Sequence, residues 1–261
     1  MALDLQGHRG ARGLLPENSI PAFKRALEIG VTTLEMDCGV TRDGVVVVHH
    51  DRRLNPDVAR GADGKWVAAP APLIKDLGFE ELQRYDVGRL RPGSEYAKRF
   101  PHQKAVDGTR IPALGDVLRL NPKVRFNIET KISPDAPTET LPPEAFARKL
   151  IEEIRKANAQ GRATIQSFDW RTLKVVEREA AEIETVYLTQ GKDSDPHKVA
   201  AAGGKIWSPD FRDLTAEKMS TAKRLRLRVI PWTVNEPADI ERVIGMGVAG
   251  IISDYPDRVH K

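Results

Sequence analysis

Cysteine is nearly absent: Cys38 is the only one in the chain, so no internal disulfide can form and the redox compartment stays open. Beside Asp37 in an apolar run, Cys38 reads as a small buried hydrophobe and not as a reactive thiol. Long apolar runs are missing too. None approaches the roughly 20 residues that span a bilayer, and no amphipathic segment is strong enough to dock on a membrane. Blocks of one charge are also lacking. The 41 Lys and Arg are scattered among 37 Asp and Glu, for a formal net charge of +4, which argues against a nucleic-acid footprint and mildly favours anionic small molecules. No leader precedes the first strand-like run. That fits a cytoplasmic protein, or a secreted one whose leader has been removed.

Strands and amphipathic helices alternate through most of the 261 residues, the pattern of a parallel α/β architecture. Eight strands are expected at Leu3–Gly7, Thr32–Asp37, Arg125–Thr130, Ala163–Gln166, Glu184–Leu188, Lys205–Ser208, Arg228–Thr233 and Gly250–Ser253. A first helix should follow Pro-Glu-Asn-Ser, bury Ile20, Phe23 and Leu27 at helical spacing, and stop at Gly30. Further helices are expected at Leu114–Leu120, Pro143–Ala157, Asp169–Ala181, Asp195–Ala202, Thr215–Leu225 and Pro237–Met246. Strand–helix units in this number and length point to a TIM (β/α)8 barrel, one domain over residues 1–261.

Two features depart from the alternation. The Asp43-Gly44 turn between apolar runs predicts a β-hairpin, with Val45–His50 as an arm over the barrel mouth. Residues 52–110 are then rich in Pro, Gly and charge, with one short helix expected near Phe79–Tyr85. A stretch this long without periodicity is either functional, here a subdomain capping the catalytic face, or a solvated insertion.

The reactive side chains cluster. Glu35 and Asp37 lie two apart on a strand and so share a face. Paired carboxylates in an apolar setting repel unless they are protonated or bridged by a cation, and hard oxygen ligands favour Mg²⁺, Ca²⁺ or Mn²⁺. Glu129 would complete a three-carboxylate site, and Lys131, on its face, either holds a phosphate oxygen or pairs with Glu129. His8 and His50 each end an apolar run, where barrel strands hand over to active-site loops, and two imidazoles can accept and donate a proton. Arg9 is a candidate phosphate clamp. Glu17 and Asn18 read as a brace for the first loop and a helix cap. His49 must face away from His50 and takes no role.

Together these clusters closely resemble the glycerophosphodiester phosphodiesterase family. The resemblance runs nearly end to end, through HRGARGLLPENSIPAF, LEMDCGVTRDGVVVVHHD, FNIETK, IQSF, PWTVN and GVAGIISDYPD in that order. It implies a TIM barrel with an insertion after the His-Asp motif, and one divalent cation held by Glu35, Asp37 and Glu129. It further implies His8 and His50 as the acid–base pair, Arg9 and Lys131 on the phosphate, and Gln166 lining the site or packing beneath it. Phe168 and Trp232 would form an apolar wall beside the glycerol or alcohol, against the alternative of ordinary core packing. The implied reaction yields glycerol 3-phosphate and an alcohol from a small-molecule glycerophosphodiester. Departures from the pattern are small: Ser19 in place of threonine, His49 before His50, and Ala249 before the last glycine. The insertion, with its Val87–Gly93 run, resembles the longer one of extracytoplasmic bacterial members, which points to a periplasmic or extracellular location. The rival readings are a phospholipase D-like or phosphatidylinositol phospholipase-like lyase, which would release a stable cyclic phosphate, and a non-catalytic barrel that binds phosphate esters. Oligomeric state leaves no trace in the sequence.

Overall fold

The computed structural model describes residues 2–259. Its strands are β1 (Asp4–Gly7), β2 (Thr33–Val40), β3 (Val46–Val48), β4 (Arg125–Thr130), β5 (Ala163–Ser167), β6 (Glu184–Thr189), β7 (Ile206–Pro209), β8 (Arg228–Val229) and β9 (Gly250–Ser253). All but β3 run parallel, in the order β8-β7-β6-β5-β4-β2-β1-β9. The ends of that sheet meet: Ala249 N donates to Val229 O at 2.8 Å and Ile252 N to Pro231 O at 3.0 Å. The result is a TIM barrel, as the sequence predicts. β8 is shorter than the expected Arg228–Thr233 because Pro231 has no N–H to give the ladder. Its neighbours continue the pairing, with Ile230 N on Trp207 O at 3.0 Å and Trp232 N on Pro209 O at 3.0 Å.

The helices are α1 (Ile20–Ile29), α2 (Phe79–Leu82), α3 (Glu95–Arg99), α4 (Leu114–Leu118), α5 (Pro143–Lys156), α6 (Trp170–Glu179), α7 (Pro196–Ala201), α8 (Ala216–Arg224) and α9 (Pro237–Gly245). Their starts are written locally. Ser19, Asp169, Asp195 and Thr215 each accept a backbone N–H of the first turn through the side chain, satisfying donors that the helix itself cannot. In α1 the fully buried residues are Ala22, Phe23 and Ala26, while Ile20 and Leu27 are only half-buried. Ala26 sits against Gly7 of β1, where a Cβ would meet Ala26 Cβ at 3.1 Å. The main core, between strands and helices, holds Phe23, Phe126, Phe146, Leu173 and Trp207. Cys38 is buried in it, and burial pushes its thiol pKa up, with Asp37 adding to the effect, so it stays an unreactive thiol.

Inside the barrel the lining is divided. Val186, Ile206, Ile230 and Ile252 form an apolar cluster on one side. Across from it Gln6, Asn127 and Gln166 are hydrogen-bonded to one another, with Asn127 Nδ2 reaching Gln6 Oε1 and Gln166 Oε1, each at 2.9 Å.

The hairpin is present as predicted: β3 pairs antiparallel with β2, Cys38 opposite Val48 and Val40 opposite Val46. Residues 52–110 gather an apolar cluster of their own, including Leu54, Val58, Ile74, Leu82, Tyr96 and Phe100, which closes on Val47 of β3 and on Tyr255. Besides the expected helix near Phe79, they form α3. Ser94 caps it, accepting Ala97 N, with Glu95 in its first turn and Lys98 and Arg99 in its last.

Candidate active site

The three acids converge because of strand register. Asp37 of β2 lies opposite Glu129 of β4, and Glu35 opposite Asn127, so period-two alternation turns all three carboxylates to the lumen. One oxygen from each of Glu35, Asp37 and Glu129 lies within 4.8 Å of the others, and all three residues are buried. Glu35 Oε1 accepts Gln166 Nε2 at 2.7 Å and its Oε2 accepts Arg9 N at 2.8 Å. Asp37 Oδ2 accepts Asn18 Nδ2 at 2.9 Å and lies 3.1 Å from Arg9 Nε. Asp37 Oδ1 is buried without a hydrogen-bond partner. Lys131 Nζ donates to Glu129 Oε1 at 2.8 Å and stands 3.8 Å from Asp37 Oδ1.

These contacts split the protonation behaviour of the acids. Burial, reinforced by Asp37, raises the Glu35 pKa well above the carboxylate range. Burial also lifts Glu129, to about 7, against the pull of Lys131. Asp37 is buried too, but Arg9, His50 and Lys131 overcome that penalty and hold it well below its usual value. A bare cluster of this kind keeps protons that a cation would replace. The unpartnered Oδ1 of Asp37, facing two further carboxylates, fits a hard divalent cation: Glu35, Asp37 and Glu129 could hold one.

Both histidines approach this cluster, and each has a carboxylate at Nδ1. His8, one residue beyond β1, has Nδ1 2.7 Å from Asp254 Oδ1 and Nε2 3.9 Å from Glu35 Oε2. His50, at the end of the hairpin arm, has Nδ1 2.7 Å from Asp51 Oδ1, and Asp51 is itself held by Asn55 Nδ2 at 2.7 Å. In both, a carboxylate on Nδ1 fixes the ring and leaves Nε2 free to exchange a proton. Their surroundings differ: the His8 side chain is 11% exposed and that of His50 28%. Burial lowers His8 to about 4, despite Asp254, whereas His50 is lowered by burial and Arg9.

Arg9 sits at φ 49° and Gly10 at φ 85°. A Cβ on Gly10 would come within 2.7 Å of the Ala22 carbonyl carbon, so only glycine fits there. This tight turn aims Arg9 inward, where Nη1 pairs with Glu17 Oε1 at 2.9 Å. Glu17 therefore braces Arg9. Asn18 is not the helix cap: Ser19 takes that place, and Asn18 supports Asp37. Gln166 is buried with its amide committed to Glu35. Phe168, just past β5, is 39% exposed and meets Trp232 edge-on with ring centroids 5.4 Å apart. Trp232 Nε1 is anchored to Ser208 O at 3.0 Å. His49 is buried with Nε2 3.3 Å from Arg53 O.

A protein-family model, that of the glycerophosphoryl diester phosphodiesterase family, matches residues 8–258. The chain belongs to this family of enzymes. This member is 31% identical over 251 residues to the glycerophosphodiester phosphodiesterase of Caldanaerobacter subterraneus subsp. tengcongensis, covering 96% of this chain and 93% of that protein. It is 30% identical over 272 residues to the Bacillus subtilis glycerophosphodiester phosphodiesterase, covering 97% and 84%. Among solved structures, a Silicibacter pomeroyi protein assigned to the glycerophosphoryl diester phosphodiesterases superposes with a TM-score of 0.93 at 35% identity, over 98% of this chain and 91% of that one. An Oleispira antarctica phosphodiesterase, solved with its product sn-glycerol-3-phosphate, shares the fold with a TM-score of 0.78 at 20% identity, over 98% and 94%.

Some groups in this family member's site took no role in the sequence analysis, although Arg12, Asn127 and Asp254 lie within the segments HRGARGLLPENSIPAF, FNIETK and GVAGIISDYPD. Asp254, which orients His8, lies directly after the last strand, where barrel loops carry function; that position and its place in GVAGIISDYPD are its signals. Arg12 grips Asp254 through Nε at 2.8 Å and Nη2 at 3.1 Å. Asn127 and Gln6 extend the hydrogen bonds of Gln166 into the barrel floor.

Proposed function

We propose that the chain hydrolyses glycerophosphodiesters to glycerol 3-phosphate and an alcohol, using one divalent cation (Ca²⁺, Mg²⁺ or Mn²⁺) and the two histidines as proton acceptor and donor. The observation that carries this reading is the three-carboxylate cluster flanked by two Nδ1-anchored imidazoles. When bound by Glu35, Asp37 and Glu129, the cation would polarise the phosphoryl group and offset its growing negative charge. Arg9 and Lys131 would share that task as fixed positive charges at the rim of the cluster. One imidazole Nε2 takes the proton of the nucleophile, water or the glycerol 2-hydroxyl, and the other returns one to the departing oxygen. Phe168 and Trp232 offer an apolar wall for the carbon portion of the substrate. Residues 52–110 would cap this face, and their resemblance to the longer insertion supports a periplasmic or extracellular location. Among the described residues no helix is long and apolar enough to cross a membrane.

Incubation with glycerophosphocholine and each cation in turn, followed by phosphorus NMR, tests the reaction. Glycerol 3-phosphate should accumulate as the final product. A cyclic phosphate that persists would establish the lyase instead, and binding without turnover under every cation would leave only the non-catalytic barrel.

Gln166 offers a sharper test of the metal site. Gln166→Leu removes the donor to Glu35 Oε1 and should weaken cation affinity about 10–100-fold, the range for losing an outer-shell partner. Titration calorimetry measures this directly. A variant with unchanged cation affinity but a raised substrate KM would place Gln166 on the substrate.

A further inference from the structure

The apolar cluster of residues 52–110 meets the catalytic machinery at one hydroxyl. Tyr96, on α3, is buried, and its Oη contacts three charged side chains. It donates to Glu17 Oε2, accepts Arg12 Nη1 at 3.2 Å, and lies 3.4 Å from Arg9 Nη1. A phenol has one proton to donate and lone pairs to accept with, and here Glu17 takes the proton while both guanidiniums face the lone pairs. Burial, with Glu17 beside it, raises the phenol pKa, so the hydroxyl keeps its proton. Each arginine leads to a different arm of the site. Arg9 lies against Asp37, and Arg12 holds Asp254, which in turn holds His8. Phe100, one helical turn on, lies beneath Arg12, whose guanidinium carbon is 4.6 Å from the ring centroid, and packs edge-on against Tyr96.

We propose that Tyr96 is a positioning residue: its hydroxyl spaces and orients Arg9 and Arg12, so that docking of α3 sets both the phosphate arm and the His8 arm of the site. This rests on the phosphodiesterase reading for its kinetic consequence, but not for its structural one. Without the hydroxyl, two like charges lose the acceptor between them, and Glu17 loses a donor in a dry site where each such contact is strong.

The test is Tyr96→Phe, which keeps the ring and deletes one atom. In wild type the Nε–H signals of Arg9 and Arg12 should be resolved and exchange-protected by nitrogen-edited NMR. In Tyr96→Phe both should shift and lose protection, and kcat should fall at least about 10-fold. Val87→Ala, which loosens the same apolar cluster at a side chain that has no polar group to offer either arginine, separates positioning from packing: it should lower the melting temperature at least as much as Tyr96→Phe does, with wild-type kcat. Unchanged arginine signals in a folded Tyr96→Phe would overturn the proposal whether or not the wild type turns over a phosphodiester. Equal losses of kcat in the two variants would overturn it as well. Wild type inactive on every phosphodiester, with arginine signals that do respond, would instead count against the reaction and leave the positioning role standing.

Discussion

His8→Ala and His50→Ala are each expected to lower kcat by about 10²–10⁴-fold, the range associated with a positioned general acid or base, while KM changes little. Both imidazoles are fixed at Nδ1 by a carboxylate, Asp254 for one and Asp51 for the other, and His8 Nε2 lies 3.9 Å from Glu35 Oε2. On the proposed mechanism the group lost on truncation acts as bonds to phosphorus form and break, so its loss should register in kcat. Asp254→Asn should reproduce much of the His8 loss with the imidazole still present, because an amide at that position no longer selects the right tautomer. The double variant should fall by less than the product of the single losses, since the two groups serve one proton circuit. Steady-state kinetics on variants checked for fold by circular dichroism measure all of this. Undiminished turnover in both single variants would remove the histidines from the mechanism.

Exhaustive chelation is expected to abolish turnover, with a loss on the order of 10³-fold or more. On the proposed reading, electrostatic stabilisation on the order of several kcal/mol at the phosphoryl oxygens would disappear with the cation, and each roughly 1.36 kcal/mol is a factor of ten. Adding back Ca²⁺, Mg²⁺ and Mn²⁺ singly then ranks the cations by restored rate. A second readout needs no substrate: a cation that binds only the folded chain raises the melting temperature as its concentration increases. Asp37→Asn should erase that shift, because it removes the one acid that burial does not neutralise. The pH dependence has a definite sign. With Glu35 raised and Glu129 at about 7, protons compete with the cation, so its apparent affinity should weaken as pH falls below that value. Activity that survives chelation, with no thermal shift from any cation, would end the metal assignment.

The barrel and the convergence of its acids were legible because both depend on short repeats. Period-two alternation puts Glu35 and Asp37 on one face whatever the tertiary context, and the Asp-Gly turn after β2 can only be a tight reversal. What escaped depends on contacts across the chain. Asp254 meets His8 from the far end of the sequence, and nothing near either residue announces the other. Tyr96 was hidden because α3 is a single turn and shows no apolar period, although Ser94 capped it plainly. Asn18 misled in a different way. It looks like a helix cap, but Ser19 satisfies that need one residue later and frees the amide for Asp37. In α1 the amphipathic count found Phe23, which is fully buried, but Ala22 and Ala26 share that line while Ile20 and Leu27 are half-buried beside it.

The divided lining of the barrel separates the groups proposed to react from an apolar side that bears none of them. Every carboxylate of the cluster and the amides beneath it come from β1, β2, β4 and β5, whereas Val186 of β6, Ile206 of β7 and Ile252 of β9 form an apolar patch with Ile230. On the proposed reading, a new head-group preference would arise most readily by remodelling the loops that follow β6 and β7, which leaves the three-carboxylate cluster undisturbed. The same asymmetry predicts where laboratory evolution would meet resistance. Insertions after β6 or β7 leave the hydrogen-bonded half intact, whereas a single apolar replacement at Asn127 breaks a network that reaches from Gln6 to Glu35.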